Sequence, residues 1–364
     1  MSAVLDGVRV LELGGIGPVP HAAMMLADLG ADVVRIERPK PGVALIDPAD
    51  DYTLRNRRSV GADLKSAGGL DLALSLASRA DILLEGFRPG TAERLGIGPA
   101  DCLKLNPRLI YGRVTGWGQD GPLAQTAGHD INYLAFTGAL HAASTAERDP
   151  HPPLNLVADL GGGSMLVAVG VLAALHERER SGAGQVVDAA MVDGVSTLLA
   201  AYWNLAEFGR WSARPGTNIT DGAAPFYRTY RCADGRFVAV GAVEHEFYRI
   251  LVTGLGLDPD ELPGQHSAKD WPAMTRLFAE RFAQAARDDW TARFAGTDGC
   301  VTPVLELGEV YDQAQIRARG TVVTASGHRQ PAPAPRFSRS CPAALRPPPV
   351  PGADLEAVRA DWGL

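Results

Sequence analysis

The stretch VRVLELGGIGPVPHAAMMLADLGADVVRIE, residues 8–37, carries the clearest fold signal in the chain. Residues 8–13 and 32–37 are short runs rich in Val, Leu and Ile, which is typical of buried strands. Residues 21–30 between them predict a helix that ends at Gly30. A strand, a helix and a second strand in this order predict two parallel strands joined by a crossover.

The alternation of strands and helices continues to about residue 208 and predicts an α/β protein with a parallel sheet. From about residue 222 the pattern changes to a hairpin around Asp234-Gly235, followed by helices, which predicts a smaller α+β domain over 222–312. The remaining predicted segments are helices at 67–80, 164–180 and 353–364, strands at 81–87 and 108–117, a strand and a helix within 185–208, and an extended Pro-rich stretch at 329–352.

Composition and charge disfavour several classes of protein. The chain has 364 residues, 46% of them hydrophobic and 21% charged, and a net charge of −7, which disfavours binding to nucleic acid or to an anionic membrane. The apolar run at residues 165–175 is too short to span a bilayer, and the N-terminal residues lack the features of a signal peptide. We therefore expect a globular protein without a membrane span.

The cysteines indicate a reducing compartment. Cys102, Cys232, Cys300 and Cys341 are scattered and form no CxxC pattern, which argues against a disulfide framework and against a zinc site. Positive charge comes mostly from Arg, and Ala, Gly and Pro are abundant, which is typical of a GC-rich bacterial genome. We therefore expect a protein of the bacterial cytoplasm.

The turn after the first strand, LELGGIGPVPH (residues 11–21), is similar to the glycine pattern that binds nicotinamide dinucleotides. Gly15 and Gly17 supply the first two glycines, but Pro20 stands where the third would allow close packing of helix on strand. The stretch therefore argues against a nicotinamide site. Arg38, after the second strand, indicates instead an anion at the carboxyl edge of the sheet.

Arginines cluster near the predicted carboxyl ends of parallel strands, where such sheets bind ligands. They include Arg38 and those within residues 55–65 and 85–96, and each alone would be explained as an exposed surface residue. Guanidinium groups and helix N-termini suit phosphate oxygens, and the chain has no GxxxxGK[ST] loop for ATP. Coenzyme A, with several phosphates and an adenine, fits this set.

A histidine and two acidic residues stand where helices are predicted to begin. His129 and Asp130 precede an apolar run in GHDINY (128–133), and Asp159 precedes three glycines in LNLVADLGGGSM (154–165). Each is explained either by capping of a helix N-terminus or by a site where backbone N–H groups approach a ligand. These residues alone leave both interpretations open.

Together the motifs resemble those of the family III CoA-transferases, the CaiB/BaiF-type group, and within it the α-methylacyl-CoA racemases. The similarity extends over nearly the whole chain, and GHDINY and DLGGGSM, in this order and spacing, are its most specific parts. The other matching stretches are residues 7–39, 55–66, 80–99, 184–194, 232–248, 300–305 and 332–338.

The resemblance implies an interlocked homodimer. A Rossmann-like large domain would be built from both chain ends, residues 1–200 and 325–364, with the small domain, 222–312, between them and linkers at 201–221 and 313–324. Each active site would then lie between the large domain of one subunit and the small domain of the other.

The resemblance also implies that the substrate is an acyl-CoA thioester. Because CoA is then part of the substrate, neither a separate cofactor nor a metal is expected. The implied CoA-binding residues are Arg38, Ala62, Asp63, Leu64, Lys65, Gly86, Phe87, Arg88, Arg94, Gly128, Asp130, Ile131, Asn132 and Tyr133.

The implied reaction interconverts (2R)- and (2S)-2-methylacyl-CoA thioesters through an enolate, as in fatty acid and lipid metabolism. His129 suits the base, and Asp159 suits the acid on the opposite face if burial raises its pKa. Glu244 of the other subunit is implied to orient His129. Backbone N–H groups of the glycine-rich turn or near Asp130 would stabilise the enolate oxygen.

The alternative is a transferase of the same family, in which Asp159 attacks the thioester and forms an acyl anhydride. His129 favours the racemase, because that nucleophilic route needs no paired base at its position.

Other residues are weaker candidates. Cys300 has no local partner, so we expect a buried structural thiol there. Residues considered for the acyl chain, which helix packing explains at least equally well, are Met165, Met191, Tyr202, Trp203, Leu205, Phe208 and Trp211.

Overall fold

The structure, a computed structural model, describes residues 2–38, 46–145 and 149–364. The chain divides into two compact units. The first consists of Met1–Thr137, Pro153–Leu198 and Arg317–Leu364, and the second of Gly138–Pro152 and Leu199–Ile316. Residues 138–152, which the sequence-based boundaries assign to the large domain, group with the second unit.

The first unit is built on a six-stranded sheet whose strands are all parallel, in the order β3-β2-β1-β4-β5-β6. The prediction of an α/β protein with a parallel sheet is therefore confirmed. Because β1 pairs with β2 on one side and with β4 on the other, the strand order reverses there, and sheets of this kind bind ligands at that point. The strands are β1 (Arg9–Leu13), β2 (Asp32–Glu37), β3 (Arg57–Gly61), β4 (Ile82–Glu85), β5 (Ile110–Thr115) and β6 (Val186–Ala190).

Strand β3 is missing from the sequence-based prediction, which interprets its arginines as part of a phosphate-binding cluster. That interpretation is wrong for three of them, because each forms an ion pair within the unit and none is exposed. The charged side chains also interrupt the apolar pattern by which a strand is recognised. The pairs are Arg55 with Asp28, Arg57 with Glu12, and Arg58 with Asp32 and Asp361.

Helices alternate with the strands of this unit along the chain. The first, α1, begins at Pro18, three residues before the predicted start (21 − 18 = 3), because proline is well suited to the first position of a helix. The helices of this unit are α1 (Pro18–Asp28), α2 (Ala67–Ala77), α3 (Thr91–Leu95), α4 (Pro99–Leu105), α5 (Asp130–Phe136), α7 (Leu166–Ser181), α8 (Met191–Leu198) and α14 (Leu355–Trp362), and a hairpin is formed by β10 (Val322–Ala325) and β11 (His328–Pro331).

A π-helix over Leu156–Met165 continues into α7, so that one helical segment covers Leu156–Ser181. With 26 residues and a mean hydropathy of 1.9 it is long and apolar enough to cross a membrane, although the sequence-based prediction judged its apolar run too short. The sequence-based prediction started this helix at Ser164 because it interpreted the glycines before it as a turn, whereas the helical segment begins at Leu156. One such helix is weak evidence for a span, since core helices pass the same test, and this one packs against β5, β6 and α8.

The returning chain covers the β3 edge of the sheet. The backbone N–H of Gly352 donates to the Ser59 hydroxyl at 2.8 Å, and the N–H of Ser59 donates to the Asp354 carboxylate at 2.7 Å. Trp362, only 2% exposed, donates its indole N–H to Asp32 at 2.8 Å. The edge strand of the sheet is thus protected by residues that are nearly 300 positions away in sequence.

The second unit contains a three-stranded antiparallel sheet packed against helices. Its first two strands form the hairpin predicted around Asp234-Gly235, which is confirmed. Its core is largely aromatic, with Phe226, Tyr230, Phe278, Phe282 and Trp290 among the buried side chains. The elements are β7 (Tyr227–Arg231), β8 (Phe237–Gly241) and β9 (Val301–Pro303), with α6 (Ala139–Ala142), α9 (Ala200–Glu207), α10 (His245–Gly254), α11 (Trp271–Phe282), α12 (Arg287–Phe294) and, at its end, α13 (Ala314–Arg319).

The buried ion pair of Asp28 and Arg55 yields a prediction for stability. Asp28 is 3% exposed and accepts hydrogen bonds from the Arg55 guanidinium at 2.6 and 3.0 Å and from the Asn56 amide at 2.8 Å. Asp28→Ala leaves a buried guanidinium without its carboxylate, so we expect a loss of about 3–5 kcal/mol in the free energy of unfolding. Urea unfolding followed by circular dichroism measures this loss.

The control is Asp361→Ala, which removes an exposed partner of Arg58 and should change the free energy of unfolding by less than about 1 kcal/mol. Equal losses in the two variants would contradict the assignment.

Candidate active site

Loops that follow neighbouring strands meet at one edge of the sheet. Residues 14–17 follow β1, Arg38 follows β2, residues 62–65 follow β3 and residues 86–88 follow β4. Because these strands are parallel, their carboxyl ends share that edge. The residues before position 90 that were predicted to bind CoA therefore all lie along it.

The predicted CoA-binding residues differ in exposure. Ala62, Asp130 and Tyr133 are buried, and Leu64, Phe87 and Gly128 are half-buried. The Arg94 guanidinium donates to the Thr91 hydroxyl at 2.9 Å within α3. Contact of these residues with CoA stays a prediction. The exposed members are Arg38, Asp63, Lys65, Gly86, Arg88, Arg94, Ile131 and Asn132.

The π-helix brings Asp159 to the turn after β1. A Cβ atom placed on Gly17 would lie 3.7 Å from Asp159 Oδ2. Gly17 has φ +73°, a conformation that favours glycine, so the turn passes close to the carboxylate without a side chain in between. The glycine pattern that first suggested a dinucleotide site thus borders Asp159.

The Asp159 carboxyl is disposed to hold a proton. Burial raises its pKa above the ordinary value, and the nearby charge of Asp130 raises it further. The Asn155 side-chain amide, which donates to Asp159 Oδ2 at 3.3 Å, and the charge of His129 act in the opposite direction. Asp159 is therefore a carboxyl with a raised pKa, and His129 lies within electrostatic reach of it.

Asp130 points its side chain inward. It is 5% exposed, and its Oδ2 accepts hydrogen bonds from the backbone N–H groups of Ala158 at 2.7 Å and Asp159 at 2.9 Å. These two donors lie in the first turn of the π-helix, where N–H groups have no partner within the helix. Asp130 thus caps the helix that carries Asp159.

His129 occupies the N-cap position of α5. Its backbone N–H donates to the Asn132 side-chain oxygen at 3.0 Å, and its imidazole is exposed in the single chain. The interpretation of this segment as a helix start is confirmed. The start of α5 also leaves the His129 ring free to meet a ligand.

Tyr133 lies in the wall of the same site. A Cβ on Gly116 would lie 2.1 Å from the Tyr133 ring and one on Gly128 would lie 2.8 Å from it, so both positions require glycine. Burial raises the pKa of the Tyr133 phenol, Asp159 raises it further, and Arg88 lowers it. Asp159 and Arg88 therefore both lie within electrostatic reach of the Tyr133 phenol.

The three glycines after Asp159 serve helix packing. A Cβ on Gly162 would lie 3.0 Å from the backbone nitrogen of Val195 on α8, and one on Gly163 would lie 3.2 Å from Pro18 on α1. The prediction that this run forms a turn with N–H groups facing a ligand was wrong, because the run is helical and packs against two other helices.

His21 is a site-region residue that sequence reasoning missed. Its Nδ1 lies 2.7 Å from the hydroxyl of Ser164, which is fully buried on the π-helix. Burial and the charges of Arg55 and Arg57 lower the pKa of His21. Since His21 and Ser164 are 143 residues apart, no local sequence signal links them.

Glu244 and Cys300 belong to the second unit. Glu244 is the exposed N-cap residue of α10. Cys300 is half-buried rather than buried, which corrects the expectation for it, and burial raises the pKa of its thiol, with Glu244 and Asp298 raising it further. A thiol with a raised pKa is a poor nucleophile at neutral pH.

The apolar candidates for the acyl chain divide by exposure. Met191 is 7% exposed and belongs to the core, so it is excluded as a contact of the acyl chain. The rings of Tyr202 and Trp211 pack edge to face, with 5.1 Å between their centroids. Met165, Trp203 and Phe208 are exposed. Among the described residues, no group of three or more His, Cys, Asp or Glu side chains is placed to hold a metal ion.

Comparison with known proteins defines the class. The CoA-transferase family III matches residues 5–355, and the chain belongs to that family. A crystal structure of a CaiB/BaiF family protein from Brucella suis superposes with a TM-score of 0.85 at 27% identity, covering 100% of each chain.

Within the family, the chain is similar to racemases. It is 45% identical to the alpha-methylacyl-CoA racemase of Mus musculus, over 98% of this chain and 93% of that protein. It is 44% identical to the alpha-methylacyl-CoA racemase of Homo sapiens, over 99% of this chain and 94% of that protein. The resemblance stated from the motifs is confirmed, and identity at this level over nearly the whole chain supports an isomerase, a racemase, over a transferase.

The contact between the π-helix and α8 yields a second prediction. A Cβ on Gly194 would lie 2.0 Å from the backbone oxygen of Gly162, so Gly194→Ala must separate the two helices. Overpacking of this kind costs about 1–3 kcal/mol, and we expect a lower Tm together with displacement of Asp159. Thermal unfolding followed by circular dichroism measures the change.

Gly68→Ala on α2 is the matched control, since a Cβ there meets nothing within 4 Å. It should leave the Tm unchanged or raise it slightly. A Gly194→Ala protein as stable as this control would show that the two helices do not pack as described.

Proposed function

We propose that this chain interconverts (2R)- and (2S)-2-methylacyl-CoA thioesters by proton transfer at the α-carbon through an enolate. His129 and Asp159 are the acid and base on opposite faces of the substrate. The observation that carries the proposal is the half-buried Asp159 carboxyl, whose pKa is raised by burial and which lies within electrostatic reach of His129.

A racemase of this kind needs two groups that exchange roles. In one direction the base takes the α-proton while the acid delivers a proton to the other face, and in the reverse direction each does the opposite. The ordinary pKa values of histidine and aspartic acid differ by about 2.6 units, or about 3.5 kcal/mol. The raised pKa of Asp159 brings this carboxyl closer to the ordinary pKa of a histidine, which favours catalysis in both directions.

The enolate oxygen is assigned to the backbone N–H groups at the start of α5, which would stabilise its negative charge. The glycine run after Asp159 is helical, so its N–H groups are not the free donors first considered. The first N–H groups of α5, beside His129, have no partners within that helix and lie at its positive end. Donors of this kind contribute about 2.7–4 kcal/mol each to the stabilisation of an oxyanion.

The CoA part of the substrate is assigned to the carboxyl edge of the sheet. Arg38, Arg88 and Arg94 are exposed there, and none of them forms an ion pair with an acidic side chain among the residues that the structure describes. Because CoA arrives as part of the thioester, no separate cofactor enters the reaction. The acyl chain itself is assigned to the exposed apolar side chains beside Asp159, such as Ile16 and Leu156.

A homodimer completes the site in this proposal. Glu244 of one copy orients the His129 imidazole of the other, as a carboxylate orients histidine in a catalytic triad. Exposed apolar side chains on the first unit, among them Leu154, Met165 and Val169, are available for association with a second copy.

A transferase that uses Asp159 as the nucleophile is the alternative. His129 favours proton transfer, because the nucleophilic route needs no paired base at its position. We further propose a cytoplasmic location in a bacterium, since the four cysteines are free and Cys341 is exposed, which suits a reducing compartment.

Proton NMR in deuterated buffer with one epimer of a 2-methylacyl-CoA tests the function. We expect the α-proton signal to disappear and the other epimer to form without any acceptor acid. His129→Ala should lower the exchange rate by about 10²-fold or more while CoA still binds, because it removes an acid–base group but no phosphate contact.

The control variant is His176→Ala, which replaces an exposed histidine on α7 and should exchange at the wild-type rate. Full exchange by His129→Ala would remove His129 from the mechanism. Absence of exchange, with CoA transfer to an added carboxylic acid, would make the chain a transferase.

Co-expression of differently tagged His129→Ala and Glu244→Ala chains tests the shared site. Each variant alone should be nearly inactive. A hybrid dimer carries one site with both residues intact, so random pairing should restore about a quarter of the wild-type activity. Failure of the purified hybrid to exceed either parent would show that Glu244 does not act across the dimer.

A further inference from the structure

We propose that Asp130 is a positioning residue for Asp159: its buried carboxylate holds the first turn of the π-helix and places a fixed negative charge beside the Asp159 carboxyl. This inference rests on the proposed function and deepens it, because it assigns to a residue first expected to bind CoA a part in preparing the acid–base pair. The inference concerns the side chain of Asp130. The backbone N–H groups at the start of α5 keep the role of binding the enolate oxygen that the proposed function assigns to them.

The hydrogen bonds define the positioning role. One carboxylate oxygen, Oδ2, accepts from two successive N–H groups, those of Ala158 at 2.7 Å and Asp159 at 2.9 Å. The second of these belongs to the residue whose side chain is proposed to react. A carboxylate that bonds the backbone of Asp159 fixes where its Cα, and hence its carboxyl, can lie. The bonds also join α5, which begins beside His129, to the helix that carries Asp159.

Burial gives the bonds their strength. Asp130 is 5% exposed, so water does not compete for Oδ2, and hydrogen bonds from N–H groups to an ionised carboxylate are the stronger kind. An anion at the positive end of a helix is stabilised further by the helix dipole. These contacts are those of a carboxylate that caps the N-terminus of a helix.

The charged and titratable groups around Asp159 come from few elements. Asp130, His129 and Tyr133 face it from α5 and its N-cap, and Asn155 donates a hydrogen bond from its own segment. The turn at Gly17 and the contact residues of α8, Val195 and Leu198, contribute no charge. Asp130 is therefore the negative group that acts on Asp159, and it favours the protonated carboxyl, in agreement with the raised pKa.

The other oxygen of Asp130 makes the test possible. Asp130 Oδ1 is buried and has no hydrogen-bond partner among the residues that the structure describes. In Asp130→Asn the amide oxygen replaces Oδ2 and keeps both backbone bonds, while the amide nitrogen replaces an oxygen that no donor contacts. The substitution thus removes the charge and retains the shape. Asp130→Ala removes both.

The experiment compares wild type, Asp130→Asn, Asp130→Ala and the control Asp193→Asn, which changes an exposed acid on α8. The Asp159 carboxyl is titrated by carbon NMR in aspartate-labelled protein, with Asp159→Asn identifying its signal. Alongside it, α-proton exchange is measured against pH, and binding of desulfo-CoA by calorimetry. Circular dichroism shows which variants fold.

We expect Asp159 in Asp130→Asn to titrate about one pH unit lower than in wild type, because a like charge has been removed. The acidic limb of the exchange profile should move in the same direction, and the affinity for desulfo-CoA should stay within about twofold, since no CoA contact is lost. The control should match wild type in all three measurements. A folded Asp130→Ala should lose exchange by a larger factor than Asp130→Asn.

An Asp159 titration that is unchanged in Asp130→Asn would overturn the inference, and so would an affinity loss of tenfold or more without a shift in that titration, which would make Asp130 a ligand of CoA. The titration does not depend on turnover. If no variant exchanges the α-proton but the titration shifts as expected, the proposed function fails while the positioning role stands.

Discussion

The contact of Gly162 with Gly194 is the constraint on which the rest of the first unit depends. At this point the π-helix and α8 meet through backbone atoms, with no room for a Cβ on Gly194. Because the two helices lie so close together, Asp159 lies beside the turn after β1. Gly163 likewise packs against Pro18 of α1. Any side chain at the contact would move the Asp159 carboxyl away from the sheet edge to which CoA binding is assigned in the proposed function.

The candidate site contains three residues, Asp159, His129 and Asp130, that differ in burial. In the proposed reaction Asp159 must be buried enough to hold a proton and exposed enough to deliver it, and the residue is half-buried beside Gly17. His129 stands at the exposed start of α5, while Asp130, its neighbour, is buried. The helix start therefore turns one of two successive side chains outward and the other inward, which is why His and Asp stand together in the sequence.

The parallel sheet could be predicted because β1, α1 and β2 show the apolar patterns of their classes. Strand β3 could not, because Arg57 and Arg58 hide its pattern and find their acidic partners only in the folded chain. The π-helix also escaped prediction, since Gly161-Gly162-Gly163 is typical of a turn until another helix packs on it. His129 and Asp159 were selected by motif resemblance, whereas the contact of His21 with Ser164 spans 143 residues and has no local signal.

The covering of β3 by the returning chain has a consequence for synthesis on the ribosome. Gly352 and Asp354, which form hydrogen bonds with Ser59, are translated almost 300 residues after it. Until they are made, the β3 edge of the nascent sheet is not covered by the returning chain. The second unit takes most of its residues from Leu199–Ile316, so its aromatic core is complete before that edge is covered. During this interval the nascent chain exposes an unpaired strand edge, which favours aggregation. Binding of a chaperone to this intermediate would prevent it.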